Sequence, residues 1–156
     1  MALIKEFRSQ GDFLFKYRGT LPLLILVPAL IVYVLHSLYP NDFFTQYQDS
    51  FRWAGVIVGL LGLGIRIHAV GHAAPRTSGR NTDEGQVADH LNTTGMYSVL
   101  RHPLYLGNLL MWAGPAIWTM DLWFILFFIA AFWLYYERIM YAEEAFLIDS
   151  YGQRYM

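Results

Sequence analysis

Residues 93–108, TTGMYSVLRHPLYLGN, gather the side chains best suited to chemistry. Arg101, His102 and Pro103 are consecutive, and Tyr97 and Tyr105 flank them. Gly95 permits a turn. His102 precedes a proline and is biased toward extended backbone. Pro103 suits the first turn of a helix, where its missing N–H is not needed. The other N–H groups of such a helix start lack intrahelical partners and favour an anionic or hydrogen-bonding ligand group. Arg101 adds a fixed positive charge, and His102 a donor or acceptor that responds to pH. The tyrosines offer flat faces to a purine or a cation, with hydroxyls at their tips. Anchoring at the level of lipid headgroups is the alternative use of Arg and Tyr at such a place. The long polar segment beside them favours a binding site.

Two further groups carry polar chemistry. Glu143 and Glu144 are adjacent acids that could bind ribose hydroxyls, an amine or a metal, or close a solvated helix end. Arg66, His68 and His72 end an apolar run. The two histidines are four apart, as in a helical metal pair, but no third ligand accompanies them, so no metal site is expected. A polar end facing the same pocket as Arg101 and His102 accounts for all three.

The elements that position these residues are apolar. The chain has 156 residues, 56% hydrophobic and 15% charged, against about 25% charged in a typical soluble domain. The apolar residues cluster in runs of roughly 17 to 20, the length that crosses a bilayer as helix. These runs are 20–39, 53–70, 103–119 and 121–140. The fold expected is all-α and integral to the membrane, with about four transmembrane helices. Pro28 falls inside the first run and predicts a kink. Residues 40–50 read as a loop with interfacial aromatics. Gly55 and Gly59 form a small-xxx-small pair that lets two helices approach closely. Residues 71–102 are polar and long for a loop, a sign of function. Only a tight turn near Met120 and Asp121 separates the last two runs, which predicts an antiparallel C-terminal helical hairpin.

The chain reads as a single domain, 1–156, with a two-span part at 1–70 and the loop, hairpin and acidic segment at 71–156. The N-terminal twenty residues lack the compact apolar core and cleavage site of a signal peptide. Net charge is −1, which argues against nucleic acid. There is no cysteine, which excludes disulfides, thiolate metal sites and a cysteine nucleophile. Lys5, Arg8, Lys16 and Arg18 precede the first span, and Arg76, Arg80 and Arg101 lie in the long loop. This asymmetry places both termini and the loop in the cytoplasm. The Arg-His-Pro segment and the acids then share a cytoplasm-facing pocket.

Gly95-x-Tyr97, Arg101-His102-Pro103-x-Tyr105, Glu143-Glu144-x-x-Leu147 and Gly152-x-x-Tyr155 occur in that order around an apolar hairpin. This pattern resembles the membrane-embedded S-adenosylmethionine-dependent methyltransferases, which include isoprenylcysteine carboxyl methyltransferases and phospholipid N-methyltransferases. It covers roughly residues 89–155. The resemblance implies S-adenosyl-L-methionine as cofactor. It implies that Tyr97, Arg101, His102, Pro103, Leu104, Tyr105, Glu143 and Glu144 line its site, with Leu91 and Asn92 in the preceding segment. Arg138 lies one position away from an arginine that handles substrate in the isoprenylcysteine enzymes, so that role does not transfer. Relatives continue through a short proline-containing tail, whereas this sequence stops at Met156.

Methyl transfer from a sulfonium is a direct displacement that needs binding and alignment rather than a protein nucleophile. On this reading Arg101 and His102 hold the donor's carboxylate end, the tyrosines flank its adenosyl or sulfonium part, and Glu143 meets ribose hydroxyls or the amino group. The expected partner is a lipophilic acceptor, an isoprenylcysteine-like carboxylate or a lipid amine, together with membrane lipids. It would enter from the bilayer near Arg66, Asn108 and Trp112. No catalytic base is named by the sequence. Two other readings remain: an NADPH-dependent reductase of the sterol-reductase type, and a non-enzymatic membrane scaffold.

Overall fold

The computed structural model describes residues 2–77, 86–152 and 155. The described residues form α1 (Ala2–Lys16), a 3-10 segment (Leu21–Ile25), α2 (Leu26–Leu38), α3 (Asp42–His72), a 3-10 turn (Gly95–Ser98), α4 (Pro103–Trp118) and α5 (Leu122–Tyr151). There is no sheet among them, only an isolated antiparallel bridge between Thr77 and Ala88. The all-α expectation holds. Three segments are long and apolar enough to cross a membrane: Leu21–Leu38, Asp42–His72 and Leu122–Tyr151. The fourth expected span is shorter. Helix α4 has 16 residues, about 24 Å at 1.5 Å per residue, against a hydrocarbon core of about 30 Å.

Of residues 40–50, expected as a loop, 42–50 instead form the first turns of α3. Asn41 caps the helix, its Oδ1 accepting from the Phe44 N–H at 2.7 Å. Phe43, Tyr47 and Phe51 follow at helical spacing, with ring centroids 5.0 and 5.9 Å apart on Phe43. A cap and an i, i+4, i+8 aromatic stripe outweigh the loop-like composition. The proline-rich start of the first span is resolved as a change of helix type. The 3-10 segment holds Pro22, and Pro28 falls in the first turn of α2, where its missing N–H breaks no hydrogen bond.

The tightest seam joins α3 to α4. A Cβ on Gly62 would come within 2.5 Å of the Met111 nitrogen and 2.7 Å of the Gly107 oxygen. One on Gly55 would come 2.7 Å from the Gly114 oxygen. The backbones touch because these positions carry no side chain, as the Gly55/Gly59 spacing predicted. Gly59 itself is looser, its nearest neighbour being the Met111 oxygen at 4.0 Å.

At the hairpin turn Met120 takes a positive φ of 52°. Asp121 then caps α5, accepting from Phe124 N–H at 2.6 Å. The apolar run read as 121–140 continues as helix to Tyr151, giving 30 residues or about 45 Å. Its C-terminal third therefore extends beyond a bilayer's hydrocarbon thickness.

Helix α1 packs on that extension. Phe7 lies edge-on to Tyr141 at 6.0 Å, a Cβ on Gly11 would meet Ala142 Cβ at 2.6 Å, and Phe15 is 1% exposed. These positions, with Leu14, make one apolar stripe at helical spacing. Polar ties fix the register: Arg8 to Asp149 at 2.6 Å and Arg138 Nε to Gln10 Oε1 at 2.9 Å. Phe15 joins Tyr105, Tyr136 and Ile139 in a core beneath the polar site.

Gly62→Leu should lower stability by about 1–3 kcal/mol, because the added side chain meets backbone that cannot rotate away. Gly64→Ala, with nothing within 4 Å of the new Cβ, should leave stability unchanged or slightly raised. Thermal unfolding of both variants in detergent measures the difference.

Candidate functional site

The site begins at the entrance to α4. His102 flanks the helix with φ −127° and Pro103 opens it, as the sequence order predicts. Gly95 sits in the preceding turn with φ +59°. A Cβ there would lie 2.6 Å from the His72 ring, so both the conformation and the close approach require glycine.

The segment before the turn is fastened to three helices. Asn92 Oδ1 accepts from the Ala74 N–H at 2.8 Å, just past the end of α3. Tyr151 on α5 donates to the Ala88 carbonyl at 2.7 Å. Gln86 donates to Asp12 on α1 at 3.2 Å. Thr77 is 2% exposed and donates to the Ala74 carbonyl at 2.8 Å.

The centre is a network between the α4 start and the α5 extension. His102 Nε2 lies 3.0 Å from Glu144 Oε1, and its Nδ1 lies 3.5 Å from Glu143 Oε2. Tyr105 donates its hydroxyl to the same Glu143 Oε2 at 2.7 Å. Its ring stacks on His102 with centroids 5.4 Å apart. Arg101 reaches Glu144 at 3.9 Å. Burial pulls the His102 pKa down, but hydrogen bonds to Glu143 and Glu144 and their charges outweigh it, and the net shift is upward. His102 thus sits between two carboxylates that favour its protonated form.

A cavity of about 400 Å³ opens beside this network. Tyr97, Arg101, His102, Pro103, Leu104, Tyr105, Glu143, Leu91 and Asn92 line it, as do Arg66 and Asn108. Glu144 does not. Glu144, about 100° around the helix from Glu143, grips His102 and Arg101 instead. Trp112 lies in a second, apolar cavity of about 440 Å³, formed with Leu14, Ile25, Pro28, Phe128, Phe132 and Tyr136 among others. Of the group at the end of α3, Arg66 alone lines the polar cavity. His72 packs against His68, ring centroids 4.2 Å apart, and no metal-binding cluster occurs among the described residues.

The structure adds residues that sequence reasoning did not single out. Arg18, His90 and Tyr155 also line the polar cavity. Arg18 was legible only as a basic residue before a span. Its guanidinium lies 3.6 Å from the Phe15 ring centroid and donates to the Phe15 carbonyl at 3.3 Å. Burial lowers its pKa, and the neighbouring Tyr105 and Glu143 oppose that. Tyr155 has a buried hydroxyl with no hydrogen-bond partner among the described residues. Burial, with the Glu144 charge, pushes it up to about 12. Burial and then the Glu143 charge push Tyr97 up to about 12. Both tyrosines are therefore neutral hydroxyl donors at physiological pH.

Residues 50–154 match the phospholipid methyltransferase family, and the chain belongs to it. The family is one of membrane methyltransferases, and three segments of this chain are long and apolar enough to cross a membrane. It is similar to the cobalt-zinc-cadmium resistance protein CzcN of Cupriavidus metallidurans, with 31% identity over 128 residues. The match covers 80% of this chain and 55% of CzcN, so the chain spans about half the length of that relative. No solved structure matches the chain.

The raised His102 pKa has a direct consequence for stability. Protonation favours the fold, so the contribution is complete below the unfolded value near 6.5 and is lost as pH rises through the folded value. Melting temperature should fall as pH increases above that point. His102→Gln should flatten this part of the profile. A melting series on both proteins tests it.

Proposed function

We propose that the chain transfers a methyl group from S-adenosyl-L-methionine to a lipophilic acceptor, with the polar cavity seating the donor and the apolar one the acceptor's hydrocarbon. The observation that carries this is the cavity itself. Its lining combines a helix start with Arg101, neutral tyrosine hydroxyls and one carboxylate, Glu143. A zwitterionic ligand with an aromatic base needs that set. The size is within the range of small-molecule sites, about 300–1,000 Å³. The Tyr155 hydroxyl, buried and without a partner among the described residues, supports a ligand, because a buried polar group without a partner costs about 1–3 kcal/mol.

When bound, the sulfonium supplies an electrophilic methyl group, and the protein's part is binding and alignment. Arg101 and the Leu104 N–H, at the helix start, hold the carboxylate end. His102 does not serve there, since both ring nitrogens face acids. It instead positions Glu143, whose Oε2 is taken by Tyr105 and His102. The remaining oxygen of Glu143 is left to meet ribose hydroxyls or the donor's ammonium. Tyr97 flanks the adenosyl part. Leu91 and Asn92 close the side held by α3. The apolar cavity supports a lipid acceptor, because Tyr136 lines it while its hydroxyl accepts from Asn108 of the polar cavity at 2.9 Å. The basic residues of the N-terminal segment and long loop support a cytoplasmic site with both termini on the same side.

Calorimetry with the purified protein tests the donor site. S-adenosylmethionine should bind, and Glu143→Ala and His102→Ala should each weaken it by about tenfold or more, as expected for loss of a charged hydrogen bond. Unchanged affinity in both would overturn the assignment. A preference for NADPH would favour a reductase.

A further inference from the structure

The boundary between the two cavities carries a chain of hydrogen bonds whose direction is fixed by the groups in it. Asn108, 8% exposed in α4, lines the polar cavity. Tyr136, 2% exposed on α5, lines the apolar one. Arg66 on α3 donates to Asn108 Oδ1. A guanidinium has donors only, so the amide must turn its oxygen to Arg66 and its nitrogen to Tyr136. At 2.9 Å that nitrogen donates, and the Tyr136 oxygen accepts. The Tyr136 O–H is left to point away from Asn108, and no described residue accepts it. Its neighbours are aromatic rings: Phe132 stacks at 4.2 Å, Tyr105 lies tilted at 4.9 Å and Tyr135 edge-on at 5.0 Å. The hydroxyl protons of those two tyrosines are used, Tyr105 donating to Glu143 at 2.7 Å and Tyr135 to the Leu14 carbonyl at 3.3 Å. A buried donor without an acceptor is unfavourable, and this one stands where the two cavities meet.

We propose that the Tyr136 hydroxyl donates to the polar end of the acceptor and holds it at the junction of the cavities, and that Asn108 and Arg66 are positioning residues that set the direction of this bond. This rests on the methyltransferase reading above and adds to it the group that meets the acceptor's end. The ligand is an amphiphile whose hydrocarbon lies against Trp112, Phe128 and Phe132 in the apolar cavity and whose polar end offers a lone pair. The rings around Tyr136 leave its side chain no room to swing, so the donor is preorganised and little side-chain freedom is lost when a ligand meets it. The direction of the Asn108 bond matters as well as its presence. Asn108→Asp separates the two. A carboxylate would accept from Arg66 and from Tyr136 alike, and so would turn the Tyr136 proton back into the wall. The shape of the wall and both of its contacts would survive, but the donor facing the ligand would not.

The test uses the whole protein in nanodiscs of ether-linked lipid, which has no carbonyl, and a pair of probes of equal chain length. One is a long-chain methyl ketone, isotope-labelled at its carbonyl, which accepts a hydrogen bond and cannot donate one. The other is the alkane. Trp112 lines the apolar cavity, so tryptophan fluorescence reads binding. The ketone should bind about fivefold more tightly than the alkane, and its carbonyl stretch should move to lower infrared frequency on binding. Tyr136→Phe keeps the ring, and Asn108→Asp should keep the melting temperature. Each should bring the ketone's affinity to within about twofold of the alkane's and abolish the infrared shift. Arg66→Lys, again a donor only, should retain both signals. Arg66→Met leaves the amide free to turn over and should lose part of both. Alkane affinity should stay within about twofold throughout. Equal binding of ketone and alkane by the unaltered protein, or a preference that survives Tyr136→Phe, would overturn the role of the hydroxyl. A preference intact in both Asn108→Asp and Arg66→Met would overturn the positioning role. Absence of S-adenosylmethionine binding by the unaltered protein would instead overturn the donor-site reading, and the ketone–alkane comparison would still stand.

Discussion

The contact on which the site depends is the grip of Glu143 and Glu144 on His102. It joins the start of α4 to the part of α5 that extends beyond the membrane-spanning length. The two ring nitrogens of an imidazole lie on opposite sides of its ring, and each has an acid before it. Glu144 takes one and Glu143 faces the other. The Tyr105 hydroxyl closes the arrangement on Glu143, and the Tyr105 ring rests on Tyr136 at 4.9 Å within the core. A partly buried ion network of this kind has little net strength unless every member is satisfied. Here His102 Nε2 and the Tyr105 hydroxyl are hydrogen-bonded to the acids and His102 Nδ1 faces Glu143. That fixes where Glu143 presents its remaining oxygen and where the helix start points.

The rest of the fold serves this junction. The glycine seam brings α3 against α4 closely enough for Arg66 to reach Asn108 in the middle of the next helix. Helix α1 braces α5 from outside and delivers Phe15 beneath the network and Arg18 into the cavity. The loop from the end of α3 is tied down by Asn92, Thr77 and Tyr151, and so forms one wall of the cavity. Two cavities result, one polar and one apolar, with Tyr136 and Asn108 at their boundary. The proposed function assigns the polar cavity to the methyl donor and the apolar one to the acceptor's hydrocarbon.

Much of the local structure was legible because it depends on near neighbours in sequence. A proline after His102 and a glycine at position 95 announce their backbone roles directly. Apolar runs of the right length announce helices in a bilayer, and glycines one turn apart announce a close helix contact. Residues 40–50 read as a loop because polar and aromatic residues mix there, whereas the Asn41 cap and the aromatic stripe after it favour helix. The division of labour between the acids was not legible either. Glu143 and Glu144 are equivalent as letters, and only the rotation of about 100° per helical residue separates the one in the cavity from the one behind His102.

By itself the sequence determined the apolar helices, their membrane character and the family pattern, because these follow from composition and from motifs that are each local in the chain. Tertiary structure decided which residues meet. Arg18 and Tyr155 are 137 positions apart in the numbering yet line one cavity. Trp112, expected beside Arg66 and Asn108, is turned into the apolar cavity instead. The physical reason is that a cavity is a property of packed surfaces. Its lining depends on how helices dock and rotate against one another, and no single segment encodes that.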